Sequence, residues 1–154
     1  MAIDKINDKL IGDYINKFIN DELLLDKYTK IEDIVNTDYN VQDTIKIGKR
    51  INKNLEYILQ SEQGIEEFSK LLYNDNSFIR FITARFLYPV FPNTSIKIMT
   101  EYKDTEKNSF EKHNIDNIIK GLETKQPIFM DQFKKLYNTD NLEELNRESQ
   151  EKCK

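Results

Sequence analysis

A chain of 154 residues with 32% charged and 38% hydrophobic side chains can enclose one core without staples, because a domain of this size buries roughly 68–70% of the surface its unfolded form exposes. That composition excludes wholesale disorder. The formal net charge of −4 and pI near 5.2 repel a nucleic-acid backbone on average and favour a basic protein as partner.

In the first segment, Ile3, Ile6, Leu10, Tyr14 and Phe18 recur at every third or fourth position, with Ile11, Ile15 and Ile19 widening the stripe. That is the period of a helix with one buried face. Its start interleaves charges with single apolar residues and lacks the continuous apolar run of a secretory signal, so a cytoplasmic location is expected. From Asp26 to Asp38 the pattern weakens, and Ile31, Ile34 and Val35 suggest a short helical turn inside a connection.

A second long helix is predicted from Asn40, the natural N-cap, with Val41, Thr44, Ile45, Gly48, Ile51, Leu55, Ile58 and Leu59 on one stripe. Gly48 falls on the apolar side. Its missing side chain would let a neighbouring helix approach closely; the plainer reading is a tolerated glycine costing about 1 kcal/mol. Ile65, Phe68, Leu71 and Leu72 make a short third helix starting near Ser61. Tyr73-Asn74-Asp75-Asn76 breaks it, and Asp75 or Asn76 caps a fourth helix running to Tyr88.

Pro89 and Pro92 bracket the next turn. Ile96, Met99 and Tyr102 then mark helix five, and Phe110, Ile115, Ile118, Ile119 and Leu122 mark helix six up to Gly121. Pro127 opens a last helix carrying Phe129, Phe133 and Leu136, followed from Leu142 by an acidic tail whose last residues are expected to fray. The most apolar window, 78–91, is interrupted by Arg80 and Arg85 and falls short of the roughly 20 residues that span a bilayer. No membrane segment is predicted.

The hairpins repeat at roughly thirty residues, within the range of helical repeat arrays. The expected fold is all-α, a superhelix of stacked antiparallel hairpins with about six to eight helices. It is read as one domain over 1–154, with an N-terminal helix and connection (1–38), a core (40–122) and C-terminal helices with a frayed tail (127–154).

The stretch Asp75-Asn76-Ser77-Phe78-Ile79-Arg80-Phe81-Ile82-Thr83-Ala84-Arg85-Phe86-Leu87 resembles the second helix of a HEAT repeat. In it Asp75 caps the helix, Ile79 and Leu87 point inward, Ala84 permits close helix contact, and Arg80 reaches a neighbouring turn or carboxylate. From Asn40 to Leu122 the order of elements is similar to a bacterial HEAT-like family, domain-of-unknown-function family twenty-nineteen. Asn108-Ser109-Phe110-Glu111 and Lys120-Gly121-Leu122 match its C-terminal pattern, while His113 and Ile119 depart from it. The resemblance implies protein binding, in the manner of immunity proteins encoded beside secreted toxins.

Motifs for chemistry are sparse. Glycines at 12, 48, 64 and 121 form no phosphate loop. His113 is the sole histidine and Cys153 the sole cysteine, so no disulfide, Cys/His metal site or cofactor is expected, and no catalytic residue is assigned. Arg85, Tyr88 and Phe91 are the candidate partner-binding residues; Asp75, Arg80, Ala84 and Gly48 are read as structural. Tyr73, Phe78, Phe81 and Phe86 fit a core better than base stacking. The leading expectation is a non-enzymatic immunity or adaptor protein holding a basic toxin domain or another protein. The alternatives are a HEAT-like nucleic-acid-binding or repair protein and a structural subunit or homodimer.

Overall fold

The computed structural model describes residues 2–29 and 41–148. These residues form seven α-helices, two short 3-10 turns and no strand. The all-α expectation therefore holds, with the helix number in the expected range. The chain divides into two compact units, Met1–Glu67 and Phe68–Lys154, and the division falls within the stretch 40–122. The Ile31, Ile34 and Val35 turn and the Asn40 cap lie outside the described residues.

In the N-terminal unit, α1 (Ala2–Thr29) packs along α2 (Val41–Leu59). Tyr14 meets Tyr57 and Asp21 meets Arg50, so the two helices run antiparallel. Ile11, Ile15 and Phe18 of α1 are buried, as are Ile47, Ile51, Leu55, Ile58 and Leu59 of α2. Each such side chain stabilises the fold by about 1.5–3 kcal/mol relative to exposure. Leu10 and Ile45, expected in the two stripes, are instead 40% and 45% exposed, and Ile47, outside the expected stripe, is buried. Tyr14 and Tyr57 stack with centroids 4.1 Å apart on the outer side.

The expected close approach at Gly48 is not found. A Cβ placed there meets nothing within 4 Å, so the residue is a tolerated helical glycine. Close approach belongs to Gly64 instead, in α3 (Glu62–Ser69), where an added Cβ would collide with the carbonyl of Ile58. Ser61 Oγ accepts from Gly64 N–H at 2.9 Å and caps α3.

The C-terminal unit begins with a 3-10 turn (Lys70–Tyr73), followed by α4 (Ser77–Phe86), α5 (Pro92–Thr105), α6 (Ser109–Glu123), α7 (Pro127–Tyr137) and a second 3-10 turn (Leu142–Leu145). Consecutive helices touch in order, α4 with α5, α5 with α6 and α6 with α7. Ile79, Ile82, Ala84, Leu87, Val90 and Met99 are buried, as are Ile115, Ile119, Leu122, Phe133 and Leu136. The ring of Phe81 stacks on Tyr102 at 4.7 Å.

Local chemistry explains the boundaries. Asn76, not Asp75, caps α4: its side chain accepts from Phe78 and Ile79 N–H, because Asn76 holds the extended backbone of an N-cap. Asp75 contributes a carbonyl, which with that of Asn74 accepts from Arg80 Nη1 at 3.2 and 2.5 Å. Arg80 thus ties down the turn before its own helix and bridges to no carboxylate among the described residues. Helix α4 ends at Phe86, short of Tyr88.

Asn108 caps α6 in the same manner. Helix α6 runs past Gly121 to Glu123, and Gly121 is buried where an added Cβ would strike the ring of Phe129. The helix stops instead at Lys125, which adopts φ 54°. Gln126 N–H donates to Gly121 O and Lys125 N–H to Leu122 O, satisfying the last carbonyls. Phe110, expected on the apolar face of α6, is 59% exposed in its first turn. Tyr73, read as core, is 80% exposed.

Candidate functional site

The C-terminal unit contains a cleft of about 370 Å³ at the turn between α4 and α5. Buried Pro89 and Phe133 form its floor, and half-buried Tyr88, Pro92, Met130 and Leu142 form its walls. Lys125, Lys134 and Glu143 stand exposed at the rim beside Asn146. Burial pushes the Tyr88 phenol above its ordinary pKa, and the negative charge of Glu123 adds to the effect, so the group remains a neutral hydroxyl donor over a wide pH range.

Three contacts from the C-terminal part of the unit hold the turn that shapes the cleft. Tyr137 Oη donates to Phe86 O at 2.6 Å, at the end of α4 where helix carbonyls lack partners. Arg147 N–H donates to Val90 O at 2.9 Å. The Glu148 carboxylate accepts from Asn93 N–H at 2.7 Å, from Thr94 N–H at 3.2 Å and from Thr94 Oγ at 2.7 Å. Phe91 occupies the N-cap of α5 and has no side-chain acceptor to offer, so a carboxylate from far along the chain serves the first turn and meets the positive end of the helix dipole. The segment from Leu142 to Glu148 is therefore docked, while the last residues, expected to fray, lie outside the described residues.

The predicted contact residues separate in space. Tyr88 lines the cleft. Phe91 is half-buried under the guanidinium of Arg147, whose Cζ lies 5.8 Å from the ring centroid. Arg85 is half-buried, with its Cζ 5.4 Å from the ring of Phe86; neither lines the cleft. Ala84 is fully buried.

Reading the sequence missed Lys125, Met130, Lys134 and Leu142 as cleft residues. Met130, Phe133 and Lys134 fall within one turn of α7, so the pattern of that helix was visible. The opposite wall was hidden, because docking of 142–148 depends on tertiary hydrogen bonds with no periodic signature.

Two further sites carry polar groups. His113 lies exposed at a shallow surface with Lys103, Ser109, Lys112 and Asp116. Hydrogen bonds from Lys120 and Lys103 hold the Asp116 carboxyl below the usual carboxylate range. In the N-terminal unit, a groove of about 590 Å³ lies between α1 and α2. Among the described residues, no three His, Cys, Asp or Glu side chains group as metal ligands, and no helix is long and apolar enough to cross a membrane.

Compared with known proteins, the chain matches no family model, no curated protein and no solved structure.

Proposed function

We propose that this chain is a non-enzymatic protein-binding module, which inserts an apolar side chain of its partner into the Tyr88 cleft. The cleft is the observation that carries this reading. It exposes a continuous apolar floor and walls between two lysines and a glutamate, the arrangement of a central anchor pocket with a polar rim. Filling it with one leucine-sized side chain is worth about 1.5–3 kcal/mol. The net charge of −4 adds long-range attraction for a basic partner, which raises the association rate more than the affinity.

Two features support a HEAT-like module of the immunity or adaptor kind, as the family resemblance implies. Consecutive helices of the C-terminal unit pack in chain order, the nearest-neighbour pattern of repeat proteins. The Asn76 cap and the Arg80 contacts to the preceding turn supply a physical role for the Asp-Asn and Ile-Arg elements of the motif. A cytoplasmic location belongs to the same reading.

The test is binding to the basic toxin domain encoded nearest to this gene, measured with purified proteins. Tyr88→Ala and Leu142→Asp should each weaken the complex by about tenfold or more while leaving the helical circular dichroism unchanged. Unaltered affinity in both variants, or no complex with wild type, would overturn the reading.

A further inference from the structure

The N-terminal unit of this acidic protein gathers cations where α1 and α2 face each other. Its groove of about 590 Å³ is lined by Lys17, Arg50 and Lys53 against a single carboxylate, Asp21. That carboxylate is already engaged: Arg50 Nη2 donates to Asp21 Oδ1 at 2.8 Å and Arg50 Nε to Oδ2 at 3.4 Å. The pair occupies the guanidinium fork and leaves Lys17 and Lys53 uncompensated. Lys17 Nζ rests 5.1 Å from the ring centroid of Tyr14, and neither ammonium forms an ion pair among the described residues. Two positive charges held in one concavity attract an anion more strongly than the same charges spread over a surface.

A second, independent feature points the same way. Asn54 is 8% exposed, yet its carboxamide has no hydrogen-bond partner among the described residues and contributes to the groove wall. Its polar atoms are not fully buried, so they stay open to a ligand in the groove.

We propose that the groove is a binding site for a phosphate monoester carried by a small polar molecule. Lys17 and Lys53 act as point-charge donors to a tetrahedral oxyanion, the Asn54 amide adds a neutral donor, and Asn20 and the Tyr14 ring provide polar and flat surface for the rest of the molecule. The Arg50–Asp21 pair fixes the separation of the two helices. This inference concerns a different unit from the partner cleft and stands independently of it.

The experiment is an NMR titration of the isotopically labelled full chain at constant ionic strength. Inorganic phosphate, ribose 5-phosphate and AMP serve as probes, with ribose, acetate and sulfate as controls. Saturable shifts of the Asn54 side-chain amide and of the Lys17 and Lys53 resonances are expected with the phosphate probes in the millimolar range or below. The sugar phosphate and nucleotide arms show which molecule carries the group. The Lys17→Gln/Lys53→Gln double variant should bind at least about tenfold more weakly, and Asn54→Leu should lose the saturable response while the remaining spectrum is preserved. No saturable shift in wild type, an equal response to sulfate and acetate, or undiminished binding by the lysine double variant would overturn the assignment.

Discussion

The phenolic oxygen of Tyr137 donates a 2.6 Å hydrogen bond to the carbonyl of Phe86, across 51 residues of chain. The last residue of α7 thereby caps the last residue of α4. Both ends of the bond are buried, so neither group has water as an alternative. Tyr137→Phe keeps the ring in the core and deletes the donor, and a loss of about 1–3 kcal/mol in urea unfolding is expected. A loss below a few tenths of a kcal/mol would show that the Phe86 carbonyl finds another donor.

The same bond predicts how stability responds to alkali. Burial pushes the Tyr137 phenol far above its ordinary pKa, and nearby Arg147 only partly offsets the effect. The folded state therefore keeps its proton where the unfolded state releases it. This contribution is complete below the unfolded value of about 10 and declines as pH rises beyond it. Of the eight tyrosines, Tyr137 should develop tyrosinate absorbance only together with loss of helical circular dichroism. In Tyr137→Phe the alkaline decline should be shallower; an identical decline would assign it to other groups.

Glu148 is predicted to matter more than its place near the end of the chain suggests. It accepts from the first-turn amides of α5 and from the Thr94 hydroxyl, the work of an N-cap side chain supplied from outside the helix. Glu148→Ala should cost about 0.5–2 kcal/mol, the range for loss of a cap, and Glu148→Gln less, since the amide oxygen can still accept. Hydrogen exchange at the Asn93 and Thr94 amides should accelerate in Glu148→Ala. If exchange there is unchanged, the carboxylate is not the cap in solution.

Much of the architecture was legible because burial imposes periodicity. Phe18, Leu55, Ile79, Met99 and Leu122 all fall on their predicted faces and are 0–2% exposed. Caps were legible to within one residue, since Asp75 and Asn76 are both good acceptors and only backbone geometry selects Asn76. Of the candidate contact residues, Tyr88 lines the cleft, beside the proline-bracketed turn that made it a candidate. The cleft's other wall and the cationic groove were not legible. Leu142 reaches the cleft through bonds made by Arg147 and Glu148, and Lys17 meets Lys53 only because α1 and α2 align antiparallel; neither relation leaves a pattern along the chain.

Glycine substitutions should move stability in opposite directions. Gly48 has open space beside it, so Gly48→Ala should stabilise α2 by about 0.5–1 kcal/mol through helix propensity and lower unfolded-state entropy. Gly64 abuts the Ile58 carbonyl, and Gly64→Ala should destabilise by about 1–3 kcal/mol because backbone has to shift. Thermal unfolding of the two variants measures the contrast. Destabilisation by Gly48→Ala would restore the close-approach reading of that residue.

Lys125 allows stability and binding to be tested separately at one position. Its φ of 54° places a side chain where a left-handed backbone costs roughly 1–2 kcal/mol, while the hydrogen bonds that end α6 use only its backbone. Its side chain stands at the rim of the cleft. Lys125→Gly should therefore raise stability by about 1 kcal/mol and weaken partner binding by removing a rim charge. Glycine fits this backbone better than lysine, and under the proposed partner binding the rim charge accounts for lysine there. A variant that is both more stable and equally competent in binding would remove that explanation and leave Lys125 as local strain with no role in recognition.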